Sequence, residues 1–195
     1  KRIKINQKDR IAAYTPNTIE TVEAFIATCS IGAIWSSCSP DFGFQAISDR
    51  ISQIKPKILI SINGYSFKGK QLDITSKIDK IKKSINSIEH TIIIEYLTSI
   101  PVLHSCLNWN DIIADSNKID EIEFTQLPFN HPLYIMYSSG TTGKPKSIVH
   151  SAGGTLIQHM KELKYHVNLN PKDKIFYYTT CGWMMWNWLI SSLGL

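Results

Sequence analysis

From residue 10 to residue 94 the chain alternates short apolar runs with segments of helical period, and that alternation leaves few folds open. Residues 10–14, 34–37, 57–62 and 91–94 read as strands, and the spacing between them predicts helices over 17–31, 45–54 and 73–84. Strands separated by helices are the mark of βαβ units, so an α/β fold with a largely parallel sheet is expected. In the first helix Asn17 stands at the cap, with Glu20 three residues on in capping-box position. Val22, Phe25, Ile26 and Cys29 fall on one face of it, and Ile47, Ile51 and Ile54 align on the second helix. Residues 95–130 are more irregular, with a short helix near Asp111. Beyond them the pattern gives a buried strand at 133–136, a helix over 154–166, a strand over 174–179 and a buried helix from Trp186 onward. There is no internal repeat and no low-complexity segment.

The run 137–146, YSSGTTGKPK, follows the strand at 133–136 and carries the chemistry. It packs the hydroxyls of Ser138, Ser139, Thr141 and Thr142, the glycines Gly140 and Gly143, and the lysines Lys144 and Lys146 into nine positions. Hydroxyls and backbone amides donate hydrogen bonds, glycines let the backbone close on a ligand, and lysines add positive charge. Such a loop suits a polyanion such as a triphosphate or pyrophosphate. A P-loop is excluded, because its glycines stand five apart and its lysine leads into Ser or Thr. Here Gly140 and Gly143 are three apart, and Pro145 follows Lys144 and disfavours a helix start. A solvated Ser/Gly linker is the bland alternative. The apolar segments on either side, 133–136 and 147–149, argue against it.

At 195 residues and 43% apolar content the chain can form one globular domain, and the composition fits neither a disordered nor a membrane-spanning protein. The run 183–195 is too short to span a bilayer and carries Asn187, so it reads as a core helix. Because the chain opens on Lys1 and stops inside this helical pattern, an internal fragment of a longer protein is expected. The net charge of +5 is scattered apart from residues 77–83, whose spacing suits a solvated lysine face better than a nucleic-acid patch. Cys29, Cys38, Cys106 and Cys181 are far apart and form no zinc or disulfide pattern, so no metal site is expected and a reducing compartment is the default. His150 and His159 read as structural.

With these residues in view, the run 137–146 resembles the phosphate-binding signature of the adenylate-forming enzymes: acyl-CoA synthetases, luciferases and peptide-synthetase adenylation domains. Residues 9–17, DRIAAYTPN, resemble the early strand and helix of short-chain acyl-CoA synthetases. Residues 32–43, GAIWSSCSPDFG, and 179–188, TTCGWMMWNW, are similar to the acetoacetyl-CoA synthetases within that superfamily. Acetyl-CoA synthetases carry a Gly-Gly-Phe-Ser element where this chain has Ser36 to Ser39, and they lack the Trp-Met-Met-Trp series.

The resemblance implies that residues 1–195 are part of an AMP-binding N-terminal domain, the rest of it and a C-terminal domain lying elsewhere. It implies a ligase that adenylates acetoacetate with ATP and Mg²⁺, then passes the acyl group to coenzyme A, with no tightly bound cofactor. A cytosolic place in ketone-body use for lipid synthesis, and neither nucleic-acid partner nor membrane insertion, follow from the same resemblance. Ser138, Ser139, Gly140, Thr141, Thr142 and Gly143 would hold the β- and γ-phosphates, with Lys146 as a supporting cation and Lys144 solvated. Trp183, Met184 and Trp186 would line the acyl pocket or the thiol path, against the alternative that such residues are core. Lys70 and Lys68, in the run 64–71, would meet the 3′-phosphate of coenzyme A, where the family often places arginine. Ser36 and Ser37 would lie beside the coenzyme A path. The adenine-binding, ribose-binding and catalytic-lysine motifs of the family are expected beyond Leu195, so these residues alone are expected to be inactive. An acetyl- or propionyl-CoA synthetase, and a non-catalytic relative kept as an interaction module, are the alternatives.

Overall fold

The computed structural model describes residues 3–116, 121–138 and 143–195. Its centre is a seven-stranded sheet built from β1 (Arg10–Tyr14), β2 (Ile34–Cys38), β3 (Ile58–Ile62), β6 (His90–Ile94), β7 (Leu107–Asn108), β8 (Pro132–Ser138) and β9 (Lys146–Ser151). The spatial order is β7-β6-β3-β1-β2-β8-β9. Every neighbouring pair is parallel except β8 and β9, which form an antiparallel hairpin. The expected α/β fold with a largely parallel sheet is therefore present. β2 and β3 are buried at every position, because helices cover both faces of the sheet and the strands must be apolar throughout.

The chain steps from β1 to β2 through α1 (Ile19–Ser30), then crosses back over β1 to β3 through α2 (Phe44–Ile54). Crossovers of one hand running in opposite directions place α1 and α2 on opposite faces. α3 (Thr75–Ser84) packs beside α2, while α5 (Ala152–Lys161) and α6 (Met184–Ser191) pack on the side of α1. Ile47, Ile51 and Ile54 fix α2 to the sheet as their spacing predicts.

The first helix meets the sequence expectation at Phe25, which packs on the core, and departs from it elsewhere. Its cap is Thr18, whose Oγ1 accepts the Thr21 N–H at 3.4 Å, and not Asn17. Thr21, Ala24 and Thr28 are its buried residues, while Ile26 is 45% exposed. Small side chains let the helix approach the strands closely, and both buried threonines satisfy their hydroxyls locally, Thr21 on Pro16 O and Thr28 on Ala24 O. Two further corrections concern strands. Residues 64–73 form a hairpin, β4 (Gly64–Phe67) with β5 (Lys70–Asp73), across a two-residue turn in which Lys68 and Gly69 both have positive φ, 49° and 75°. That pair of angles is the twist-matched turn of tight hairpins. Residues 174–179 do not form a strand; no described strand pairs with them, and Phe176 and Tyr178 are exposed. A short helix, α4 (Trp109–Ser116), follows β7 near Asp111 as expected.

Asn63, just past β3, holds the start of the 95–100 segment. Its amide donates to Leu97 O at 2.7 Å and Ile100 O at 2.6 Å, and its carbonyl accepts the N–H groups of Tyr96 and Leu97. The side chain is fully buried and all four of its hydrogen-bonding positions are used. Replacing it leaves several buried backbone groups without partners, so Asn63→Ala is expected to destabilise the fold by about 3 kcal/mol. Urea unfolding midpoints of the two proteins check this.

Candidate functional site

In open parallel sheets ligands bind outside the carboxyl ends of the strands, where the winding direction reverses. Here the reversal lies at β1, and four connections gather along that edge. They are the start of α1, the turn at Ser39 to Gly43, the β4–β5 hairpin, and the two described stems between β8 and β9, Ser138 and residues 143–146.

Of the sequence-selected phosphate loop, Ser139, Gly140, Thr141 and Thr142 lie outside the described residues. Its two stems are described. Ser138 ends β8 and pairs with Lys146, which opens β9; both stand at the carboxyl edge. Gly143 has φ of 97°, a value that favours glycine. Lys146 is exposed. Lys144, expected to be solvated, is 77% exposed and lies 3.7 Å from Asp49 Oδ1 on α2.

Ser36 and Ser37 are buried in β2. The Ser36 hydroxyl is 2.9 Å from Ile135 O and 3.2 Å from the Tyr137 hydroxyl, and so ties β2 to the strand that enters the loop. Ser37 donates to Cys181 O while its oxygen accepts the Trp35 indole N–H at 3.1 Å. Through that contact residues 181–182 lie over the end of β2, with the Gly182 Cα side facing Ser39 N and Cys38. The loop stem and the Trp-Met segment are thereby brought together on β2.

Within that segment the two tryptophans part company. Trp183 is the residue before α6 and is 64% exposed. Met184 follows, its sulfur 4.0 Å from the Tyr134 hydroxyl. Trp186 is fully buried: its indole N–H donates to Asn17 Oδ1 at 2.8 Å, and its ring meets Phe25 edge-on at 5.6 Å. Trp183 and Met184 stand where they can face a ligand, whereas Trp186 is core.

Lys68 and Lys70 sit on the exposed β4–β5 hairpin, Lys68 with its ammonium 5.4 Å from the Phe67 ring. Nothing in the described contacts joins either to the phosphate-loop stems. Sequence reasoning missed Tyr14 and Lys77. The Lys77 ammonium donates to the Tyr14 hydroxyl at 2.8 Å and to Phe42 O at 3.2 Å, and that hydroxyl lies 2.7 Å from both Pro40 O and Phe42 O. Together they pin the Ser39 to Gly43 turn. A lysine within a charged helical run gives no sign that it faces inward.

Burial pushes the thiols of Cys29, Cys38 and Cys181 up to about 12, so none is a nucleophile at neutral pH. Burial, with His150 nearby, pulls His159 below the usual histidine value. Its Nδ1 lies 2.7 Å from Ser191 Oγ and its Nε2 has no partner, so a proton there would be buried unpaired. Among the described residues no cluster of His, Cys, Asp and Glu could hold a metal ion, and no helix is long and apolar enough to cross a membrane.

The family described as "AMP-binding enzyme" matches residues 1–193. An acetoacetyl-CoA synthetase of Danio rerio is 48% identical over 203 residues, covering 100% of this chain and 30% of its own length. An acetoacetyl-coenzyme A synthetase of Rhizobium meliloti (strain 1021) is 48% identical over 194 residues, covering 98% and 30%. The solved acetoacetyl-CoA synthetase from Streptomyces lividans superposes with a TM-score of 0.92 at 39% identity, covering 97% of this chain and 29% of that one. The chain thus spans about 30% of the length of the curated relatives it matches.

Two outcomes follow from the geometry. Trp186→Phe removes the pyrrole half of a fully buried ring and leaves Asn17 without its donor, and is expected to cost about 2–3 kcal/mol in denaturant unfolding. Trp183→Ala, at an exposed position, should stay within about 0.5 kcal/mol of wild type. For His159, whose folded value is lowered, the unfolded chain binds the proton more readily. Its contribution to stability is present above the ordinary value of about 6.5 and is lost as pH falls below it. His150 is lowered as well and acts with the same sign. His159→Gln should therefore reduce, without abolishing, the fall in urea midpoint on acidification below about pH 6.5.

Proposed function

Because the chain belongs to the AMP-binding enzyme family, we propose that it is the phosphate-binding part of an acetoacetate–CoA ligase. The observation that carries this reading is the β8–β9 hairpin, which sets both stems of the run 137–146 at the carboxyl edge, with residues 181–184 over β2 beside it. Relatives named acetoacetyl-CoA synthetases align with nearly the whole of this chain, and they support the choice of acid.

In this reading the acetoacetate carboxylate attacks the α-phosphorus of MgATP, giving the acyl-adenylate and pyrophosphate. The coenzyme A thiol then displaces AMP to form the thioester. Negative charge grows on the leaving phosphates in the first step, and positioned donors lower its energy. Ser138, Ser139, Gly140, Thr141, Thr142 and Gly143 supply hydroxyls and backbone amides to the β- and γ-phosphates, and Lys146 adds a cation at the exit stem. Trp183 and Met184 border the acyl group. Trp186 sets their position from the core through Asn17 and Phe25. Lys70 and Lys68 offer charge to the 3′-phosphate of coenzyme A from the β4–β5 hairpin. Ser36 and Ser37 serve the thiol path by holding β8 and residue 181 in place. The reaction belongs in the cytosol, and the partners are the small molecules acetoacetate, ATP and coenzyme A.

The test is ATP–pyrophosphate exchange by the complete polypeptide that carries these residues, with acetoacetate and acetate in parallel. Exchange driven mainly by acetoacetate is expected. Exchange driven by acetate would keep the phosphate-loop assignment and overturn the acid, and none with either would overturn the ligase reading. Lys146→Met is expected to slow exchange on the order of 10- to 100-fold, as loss of one charge-stabilising group does.

A further inference from the structure

We infer that α2 is the support that fixes both stems of the phosphate loop, with Asp49, Arg50 and Gln53 as positioning residues for MgATP; this rests on the proposed function. Among the described residues β9 lies at the edge of the sheet. Among the described strands only β8 pairs with it, and Lys146 to Val149 are exposed. A loop that must hold phosphates at defined distances needs its exit stem held from a second direction, since rigid supports set the geometry of a binding group.

α2 provides that direction. The Gln53 amide donates to Pro145 O at 2.8 Å, and Asp49 Oδ1 lies 3.7 Å from the Lys144 ammonium. Both contacts fall on the exit stem. The entry stem is held by Arg50, whose guanidinium carbon lies 5.9 Å from the centre of the Tyr137 ring and 4.8 Å from that of Phe42. Tyr137 is held from its other end by the Ser36 hydroxyl. Arg50 is itself fixed by donating to Ala46 O at 2.7 Å.

An exposed ion pair is weak taken singly. The force of the arrangement is that three side chains within little more than one turn reach both stems from a single helix. That helix cannot shift easily, because Ile47, Ile51 and Ile54 are buried against the sheet. None of the three side chains belongs to the loop, and each acts through residues that do.

The experiment uses the complete polypeptide carrying these residues. Arg50→Met, and Asp49→Asn combined with Gln53→Leu, are compared with wild type for MgATP affinity, coenzyme A affinity and deuterium uptake over residues 143–151. Both variants are expected to weaken MgATP about five- to tenfold, the effect of losing one or two ordinary polar contacts. Uptake over 143–151 should speed up while coenzyme A affinity holds. Arg50→Lys should not restore the affinity, because an ammonium lacks the planar face that stacks on rings. Should Arg50→Met fail to fold, the surface double variant still decides. Unchanged MgATP affinity, or unchanged uptake, in a folded double variant would overturn the inference. So would an equal loss for coenzyme A, which marks general damage. Wild type that binds no MgATP would sink the proposed function, and this inference with it; variants that bind as wild type sink the inference alone.

Discussion

The hydrogen bond from Trp186 to Asn17 joins residues 169 apart and closes the architecture. Around it Phe25 meets three rings: Trp35 of β2 at 5.8 Å, Tyr134 of β8 at 6.5 Å, and Trp186 of α6 at 5.6 Å. One half-buried phenylalanine on the first helix therefore contacts two strands and the last helix. The indole N–H would be an unpaired donor in this setting, and Asn17 removes that penalty. Because α6 is anchored this way, residues 181–184 have a defined place over β2, which depends on a contact made at the beginning of the chain.

A parallel sheet imposes the rest. Its strands end together, so the polar residues at their carboxyl ends accumulate along one edge. Thr15, Ser39, Asn63 and Ser138 all arrive there. The fold then has to separate groups that hold the structure from groups left for a ligand. Asn63 uses every hydrogen-bonding position on the backbone of 96–100, and Tyr14 and Lys77 satisfy each other and the Ser39 to Gly43 turn. Lys146, Lys68 and Lys70 are exposed.

The parallel sheet was legible in the sequence because buried strands are continuous apolar runs and α2 keeps a clean period of isoleucines. The capping of α1 was not, since Asn17, Thr18 and Glu20 offer two nearly equivalent starts. Tertiary contact decided between them: Trp186 takes the Asn17 carbonyl, leaving Thr18 to cap. The face toward the strands combines the small residues Thr21, Ala24 and Thr28 with Phe25, while Ile26 is left exposed. The β4–β5 turn was hidden because Lys68 occupies a left-handed position that Asn or Gly would advertise. The run 137–146 stood out by composition, yet its contacts with α2 did not, because Asp49, Arg50 and Gln53 look like the solvated face of an amphipathic helix.

Trp183 and Trp186 show why composition could not assign the site residue by residue. Three positions apart, they would share one face if both were helical. Trp183, however, precedes the first helical residue, with extended backbone angles of −110° and 148°. It lies outside the register that delivers Trp186 to Phe25, and its ring is left in solvent. The same break that starts α6 thus divides a run of four large side chains into a pair that faces outward and a pair that leads into the core. The buried indole of Trp186, bonded to Asn17 and packed on Phe25, anchors the helix that begins at Met184, directly after Trp183.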